Sequence, residues 1–386
     1  MIYIIILIYT LFLSYHYDIR NNKRGLKFHY YALLIIVCSL VGFSYRLGMD
    51  TVGYMKYYET YIIPDIGYAI RHLSDYRYEP LFTILCTVCK SIWEDFVLLQ
   101  LVIAVFVNTV VFWFIKKHSK KFFFAIFLFF IFQFWNINFE IKRESIAIAF
   151  FLLAMDNVLE NEVKLKNYLR YYLWCIPALL SHRFAFIILF YPILCRIKWS
   201  KLSFAIVIGA VFLLILDIPI INIITNNLNL LTIFDVQDSV ATYLTSDRFG
   251  ASNKVSIFGL INGFLIPSVI LYNVRNIVDK RVFSLAVLCL AFQVLESQIF
   301  IFYRFCNYLF FFLIICYSEG MRIAVEEKNN RALLQGAVIL LVFLQLYGRV
   351  QPEQYIRYAP YSSVFSKEIN SEREAEYDRL DFMLNY

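Results

Sequence analysis

The sequence predicts an all-α membrane protein, a polytopic bundle of helices with long extracytoplasmic loops. Hydrophobic residues make up 61% of the 386 residues, against about 45–50% in ordinary soluble domains. Only 17% of the residues are charged. The apolar residues also fall in separate runs, many of them close to the length at which a helix crosses a bilayer. These three observations exclude a soluble enzyme, a disordered chain and a disulfide-rich secreted module.

The apolar runs predict about twelve membrane-spanning helices, since a span needs about 20 mostly apolar residues and somewhat fewer where its flanks reach the interface. The first run lacks a basic segment before it and a small-residue cleavage site after it, so it predicts a span and not a signal peptide. The predicted spans are 2–16, 29–44, 96–115, 122–137, 144–159, 167–181, 183–196, 202–222, 256–273, 281–299, 301–318 and 332–348.

The basic residues predict the orientation. With the N-terminus outside, the short loops rich in Lys and Arg all fall on the cytoplasmic side, as the positive-inside rule requires; they include 17–28, 116–121, 196–201 and 274–281. The apolar run 80–93 is too short to span at about 1.5 Å per residue. Counting it as a span would move the lysines of 116–121 to the wrong face. Both ends of the chain are therefore predicted to lie outside.

This topology divides the chain into a transmembrane domain, 1–348, and an extracytoplasmic tail, 349–386. The transmembrane domain carries two long outer loops, about 45–95 and 223–255. Loops of this length are usually functional. The sequence therefore predicts that the functional site lies on the extracytoplasmic side. We expect the apolar segment 360–365 of the tail to fold back over that surface.

Ionisable side chains collect at the predicted outer ends of the helices, where charges are costly and mark functional sites. Arginine binds phosphate through two parallel hydrogen bonds and stays charged in a partly dry site. Five segments carry such residues, namely Arg46 with Asp50, Arg77 with Glu79, Arg143 with Glu144, His182 with Arg183, and Tyr303 with Arg304. A cluster of this composition suits a lipid-linked pyrophosphate that leaves from a sugar.

Plainer interpretations stay open for each residue. An arginine at a helix end often reaches the lipid headgroups, Arg143 could pair only with Glu144, and Arg77 could pair with Glu79 to orient the short helix. His182 could be an ordinary interfacial histidine. The positive-inside bias argues against headgroup anchoring as the general explanation, because the outer side is the one where basic residues are disfavoured.

No metal site, cofactor or nucleic-acid partner is predicted. Cys86 and Cys89 form a single C-x-x-C pair with no second pair and no nearby histidine, so a zinc site is disfavoured. Thiols in apolar runs behave as small hydrophobic side chains. No basic patch interleaved with aromatic residues stands out to bind nucleic acid.

At these residues the sequence resembles the EpsG family of Wzy-type polysaccharide polymerases, which act in O-antigen, capsule and exopolysaccharide synthesis. The matching features cover about residues 40–366, and their order and spacing are more specific than any one of them. They are Arg46-x-Gly48-x-Asp50 with Tyr54, Tyr57 and Tyr58; Glu79-Pro80-Leu81-Phe82; Arg143-Glu144-Ser145-Ile146-Ala147; His182; Tyr303-Arg304; and Pro360-Tyr361-Ser362-Ser363-Val364-Phe365.

The resemblance implies polymerisation of oligosaccharide repeat units carried on undecaprenyl pyrophosphate, at the outer face of a bacterial inner membrane. One chain is moved from its lipid carrier onto the non-reducing end of another lipid-linked unit. The architecture is similar to that of the membrane-embedded GT-C glycosyltransferases, and the reaction needs no nucleotide sugar, metal or cofactor. A chain-length regulator is a further partner that the resemblance allows.

The hypothesis for the mechanism is inverting glycosyl transfer. Arg143, Arg304 and Arg183 neutralise charge on the departing pyrophosphate, the kind of interaction that usually dominates catalysis. His182 or Glu144 takes the proton of the acceptor hydroxyl, and a base with a pKa near neutral favours His182. Substrate binding in the outer vestibule falls to Arg46 with Asp50 and to Arg77 with Glu79, and Tyr303 belongs to the same set.

Two other classes remain as alternatives, namely a flippase, and an O-antigen ligase or membrane acyltransferase. A flippase for the same lipid-linked oligosaccharide would show internal repeats and helices broken near the membrane midplane, whereas here the charges collect at one face. An O-antigen ligase uses similar chemistry with a different acceptor, so the sequence separates it poorly from a polymerase. A membrane acyltransferase would place its histidine toward the cytoplasm, and His182 is predicted outside.

Overall fold

The computed structural model describes residues 2–159, 164–196, 259, 261–296, 302–326, 331–351 and 355–384. These residues are mainly helical and contain no β-strand, which confirms the predicted all-α class. The predicted span 202–222 and the outer loop 223–255 lie outside the described residues. The resemblance to GT-C enzymes stays a prediction.

The helices of the N-terminal part follow the apolar runs and their end signals. Asp95 caps α6 by accepting a hydrogen bond from the amide of Val97 at 3.0 Å, and the last turn of α6 is basic, as the helix dipole favours. The helices are α1 Ile2–Leu13 with a π-helical turn Ser14–Ile19, α2 Leu26–Gly42, α3 Met49–Tyr61, α4 Ile66–Arg71, α5 Pro80–Ile92, α6 Phe96–His118, α7 Phe122–Phe132 and α8 Lys142–Val158.

The remaining helices build the second part of the bundle. A 3₁₀ segment joins α9 directly to α10, and a π-helical turn precedes α11. The elements are α9 Leu165–Ser181, the 3₁₀ helix Arg183–Phe190, α10 Tyr191–Leu194, the π turn Ile261–Leu265, α11 Ile266–Val274, α12 Lys280–Glu296, α13 Phe302–Glu326, α14 Arg331–Arg349 and α15 Ser371–Leu384.

Four described helical segments are long and apolar enough to cross a membrane, namely Ile2–Ile19, Phe96–His118, Phe302–Val325 and Ala332–Arg349. Several other predicted spans are shorter apolar helices, such as Leu26–Gly42, Phe122–Phe132, Arg183–Leu194 and Ile261–Val274. The chain is therefore a helical membrane protein, and the count of about twelve spans stays a prediction.

Helix α13 lies at the centre of the described bundle. Its best spanning window is 83% buried, against 17% for that of α14, which lies at the periphery. It packs against α12, α7, α14 and α11. Ten of the eleven residues of α7 are buried although they are nearly all large, so this helix is surrounded by protein on all sides. The interior of the described bundle is thus built around one long helix that begins at Phe302.

The C-terminal tail folds back onto the segment between α2 and α3. Ser44 and Ser363 form an antiparallel bridge, flanked by a hydrogen bond from the Tyr45 amide to the Ser362 carbonyl at 2.9 Å. The Arg46 guanidinium binds both carboxylate oxygens of Glu374, at 2.8 and 2.5 Å. The tail is therefore held by backbone pairing and by a bidentate ion pair.

The same segment leads into α3 through a glycine that no other residue can replace without strain. Gly48 has φ +83°, and a Cβ there would collide with the backbone of Phe139. Close by, the Thr51 hydroxyl donates to the Phe139 carbonyl at 2.5 Å. These contacts fix α3 against the turn that precedes α8.

The orientation inferred from the basic loops can be tested with reporter fusions. A fusion after Asp65 should report the extracytoplasmic side and a fusion after Lys120 the cytoplasmic side, because α6 lies between them and ends in a basic turn. If both fusions report the same side, α6 does not cross the membrane and the outer face must be reassigned.

The tail contact is tested by Glu374→Ala. A hydrogen-bonded charge pair is worth about 1.5 kcal/mol or more, so the undocked population of the tail should rise at least about tenfold. Limited trypsin digestion in detergent measures this as faster cleavage between 355 and 384. Glu372→Ala, on an exposed carboxylate of the same helix, is the control. Equal cleavage rates in the two variants would show that the pair does not hold the tail.

Candidate functional site

Four helix ends converge on one group of charged side chains, here called the arginine cluster. Glu79 immediately precedes α5, and Arg143 and Glu144 lie in the first turn of α8. His182 and Arg183 form the junction between α9 and the 3₁₀ helix, and Arg304 lies in the first turn of α13. The cluster consists of Glu79, Arg143, Glu144, His182, Arg183 and Arg304. Residues that are far apart in sequence meet here because the helices that carry them pack together.

Glu79 joins two of the arginines. One of its oxygens accepts a hydrogen bond from Nη1 of Arg143. The other accepts from the backbone amide of Arg183 at 3.1 Å and lies 3.7 Å from Nε of its side chain. Arg143 is further held by the hydroxyl of Tyr54, at 3.3 Å, and by the ring of Tyr78, whose centroid is 4.1 Å from its guanidinium carbon. Arg143 is thus fixed by a carboxylate and two aromatic rings.

Glu144 is the buried centre of the cluster, with 1% of its surface exposed. Oε2 accepts a hydrogen bond from Nη1 of Arg304 at 2.8 Å, and Oε1 accepts from Nδ2 of Asn307 at 3.0 Å. Both partners lie in the first two turns of α13. Because a buried carboxylate must be paired, these bonds tie the start of α8 to the start of α13.

His182 is buried beside this ion pair. Its Nε2 lies 3.4 Å from Nη1 of Arg304 and 3.9 Å from Oε2 of Glu144. An arginine N–H can only donate, so Nε2 accepts and the ring proton belongs on Nδ1, 3.4 Å from the hydroxyl of Tyr308. Burial and the neighbouring arginines, Arg304 first among them, hold the pKa of His182 well below its usual value. The imidazole is therefore neutral at physiological pH.

A chain of amides extends the cluster toward Tyr303. The Tyr303 hydroxyl donates to Oδ1 of Asn136 at 2.5 Å, and Nδ2 of Asn136 donates to Asn307 at 3.1 Å. Sequence reasoning missed Asn136, Asn307 and Tyr308. The spacing of the last two carries a signal, because residues three and four positions after Arg304 share its helix face.

The other predicted site residues lie outside this cluster. Arg77 is exposed and faces the ring of Tyr78 at 5.6 Å, while Glu79 pairs with Arg143 and Arg183. The two are therefore not paired with each other, and their role in substrate binding stays a prediction.

Arg46 and Asp50 belong to the tail contact instead. Arg46 binds Glu374, and the backbone amide of Asp50 donates to Oε2 of Glu140 at 3.1 Å. The hydroxyl of Tyr358 in the tail donates to the other oxygen of Glu140 at 2.6 Å. Burial and the nearby charge of Asp50 raise the pKa of Glu140 to about 7. This second set of charges thus joins the tail to the start of α3.

Three guanidinium groups face two carboxylates in the arginine cluster, which leaves one positive charge in excess while His182 is neutral. Arg183 is the most exposed of the three, with 47% of its side chain accessible. Arg143 and Arg304 have 20% and 23% accessible. The arginines of the cluster are therefore accessible at the protein surface, whereas Glu144 and His182 are buried beneath them. A site of this kind attracts an anion.

A family model for the EpsG family matches residues 27–363, most of the chain and every member of the arginine cluster. The chain belongs to the EpsG family. This family is associated with polysaccharide polymerase-like proteins, so the membership identified from the sequence is confirmed. No curated protein and no solved structure gives a significant match to this EpsG-family chain.

The buried pair predicts a clear order of stability among variants at Glu144. Glu144→Leu removes the acceptor for Arg304 and Asn307, and breaking a buried ion pair on one side costs about 3–5 kcal/mol. Glu144→Gln keeps one acceptor oxygen and most of the volume, so it should cost less. We expect the melting temperature in detergent to fall by several degrees more for the leucine variant. Equal losses would mean that Glu144 does not hold α8 to α13.

Proposed function

We propose that this EpsG-family chain polymerises oligosaccharide repeat units carried on undecaprenyl pyrophosphate, at the extracytoplasmic face of a bacterial inner membrane. One observation carries the proposal: Arg143, Arg183 and Arg304 converge with a neutral histidine and a buried carboxylate at helix ends. The basic loops predict that these ends are extracytoplasmic. In the reaction the bond between the anomeric carbon and the pyrophosphate oxygen breaks. A bond to the acceptor oxygen forms on the opposite face, and the acceptor hydroxyl loses its proton.

The arginines bind the leaving group while they stay paired with the two carboxylates. In the described structure Glu79 and Glu144 accept hydrogen bonds from Nη1 of Arg143 and Nη1 of Arg304. A guanidinium carries five N–H donors, so the same arginine can bind a pyrophosphate oxygen as well as its carboxylate. Preorganised cations that meet the charge developing on the leaving group stabilise the transition state without reorganisation. No metal is needed in this scheme.

His182 is the proposed base, and donor binding activates it. Burial and the three arginines lower the pKa of His182 in the free protein. A bound pyrophosphate offsets the charge of the arginines, so the part of the shift that they cause becomes smaller and the pKa of His182 rises when the donor is present. Glu144, 3.9 Å away, then stabilises the imidazolium after the proton transfer. His182 is thus a stronger base with the donor bound than without it.

The position of the charges favours this enzyme over a flippase. Arg143, Glu144 and Arg304 lie in the first turns of their helices, and no helix brings them to the middle of a span. A flippase is expected to bind its cargo near the midplane. A ligase would use the same cluster with another acceptor, so the identity of the acceptor distinguishes the two.

The test is Arg143→Lys and Arg304→Lys, which keep the charge and remove the planar fork. Loss of one preorganised partner typically costs about 100- to 1,000-fold in rate. The assay uses purified protein in detergent with the lipid-linked repeat unit, and it scores the product ladder on a gel. We expect single repeat units to remain uncoupled in both variants.

Arg71→Lys is the matched control, because Arg71 is an exposed arginine of the outer segment that lies outside the cluster. It should give long ladders at the wild-type rate. If the two cluster variants do the same at normal protein abundance, the arginines only anchor the helix ends and the pyrophosphate site is refuted. His182→Ala should still bind the lipid-linked donor but fail to couple it.

A further inference from the structure

We propose that a polar cavity on the outer side of the protein, distinct from the arginine cluster, binds the acceptor saccharide. The inference rests on the proposed function, since it names the place of the second substrate of that reaction. The cavity has a volume of about 500 Å³ and lies between the end of α2, one face of α3, the segment before α6 and the tail. It is separate from the arginine cluster, none of whose six members lines it.

The chemistry of the walls fits a neutral polyol. Trp93 lines the cavity and is 58% exposed, so its indole presents a large flat surface. The apolar C–H face of a sugar ring packs on such a surface, while its hydroxyl groups need acceptors around the edge. Glu59 and Glu94, both exposed, supply carboxylates at the same wall, and each carboxylate can accept from two neighbouring hydroxyls. An exposed aromatic ring bordered by carboxylates therefore provides both kinds of contact that a saccharide needs.

Other ligand classes fit these walls less well. An anionic lipid or a nucleic acid would meet the carboxylates of Glu59, Glu94 and Asp95. The two basic residues in the wall are already paired, Arg46 with Glu374 and Lys367 with Asp95 at 3.8 Å. An acyl chain would leave those carboxylates facing hydrocarbon. In the described part of the chain, no group of three or more His, Cys, Asp and Glu side chains is arranged to hold a metal. An uncharged, hydroxyl-rich ligand satisfies all of these conditions.

The cavity is close enough to the arginine cluster for one saccharide to join them. Thr51 and Met55 of α3 line the cavity, and Tyr54 on the neighbouring face of the same helix contacts Arg143. The two sites therefore lie around one helix, whose diameter with side chains is about 10–12 Å. A repeat unit held by Trp93 at one end can extend around α3 and present its non-reducing end at the cluster.

The experiment measures binding of a free saccharide, without lipid or pyrophosphate. The probe is the repeat-unit oligosaccharide released by mild acid from the lipid-linked units that accumulate in cells lacking this protein. Binding to purified protein in detergent is followed by saturation-transfer NMR and calorimetry. We expect Trp93→Ala to weaken binding about tenfold, which corresponds to about 1.4 kcal/mol, because the sugar ring loses the aromatic surface on which it packs. Glu94→Gln should cause a smaller loss.

The control is Tyr61→Ala, an exposed aromatic residue of α3 that does not line the cavity; it should bind like the wild type. Both Trp93 and Tyr61 are exposed, so neither variant should unfold. Binding that is equal in wild type and Trp93→Ala, or no binding to the wild type at millimolar saccharide, overturns the cavity assignment.

The Arg143→Lys variant separates this inference from the proposed function. It should retain saccharide binding while losing polymerisation. Long ladders from Arg143→Lys would refute the pyrophosphate site and leave the saccharide result standing. Conversely, short products from Arg143→Lys together with unchanged saccharide binding in Trp93→Ala would refute only the cavity.

Discussion

The structure depends most on the buried carboxylate of Glu144. It accepts hydrogen bonds from Arg304 and Asn307 at the start of α13, and α13 is the central helix of the described bundle. An unpaired charge in this position would cost several kcal/mol, so the starts of α8 and α13 must stay in register. That constraint also places Arg143, the preceding residue, against Glu79 and Tyr54. One ion pair thereby determines where the other charges of the cluster lie.

Pairing of the arginines with carboxylates explains how three arginines can lie together without a bound anion. Three guanidinium groups brought together would repel one another, and Glu79 and Glu144 reduce that repulsion by lying between them. The carboxylates therefore take the place that an anionic ligand would occupy beside the arginines. In the proposed function they hold the arginines in a binding geometry before the substrate arrives, and this preorganisation is what a charge-stabilising site requires. The excess positive charge would then attract the anionic substrate.

The sequence predicted the class of fold and named all six members of the arginine cluster, but it did not predict which of them pair with each other. Composition and apolar runs were sufficient for an all-α membrane protein, because the bilayer imposes a length and a polarity on every span. Glu79 was expected to pair with Arg77, its near neighbour in sequence. In the structure it accepts a hydrogen bond from Arg143, 64 positions away. Adjacent residues before a helix point in different directions, so sequence proximity is a poor guide to ion pairs.

Polar residues inside apolar helices escaped notice for a related reason. Asn307 and Tyr308 lie within a long hydrophobic run, and only their spacing from Arg304 links them to the site.

The short helices α3 and α4 were also harder to predict than the spans. The position of α3 depends on the tail, whose contacts join residues more than 300 positions apart.

Arg46 connects the tail to the proposed saccharide cavity. Its backbone has φ +51°, in the left-handed region that costs a non-glycine residue about 1–2 kcal/mol. Such a conformation persists only where the surroundings impose it, and here the bidentate bond to Glu374 and the neighbouring Ser44–Ser363 bridge do so. Two residues of the tail, Val364 and Lys367, complete the cavity wall. Docking of the tail therefore shapes the cavity and fixes Arg46 in its wall at the same time. A ligand that binds the complete cavity more tightly than the cavity without the tail stabilises the docked tail by that difference in binding free energy.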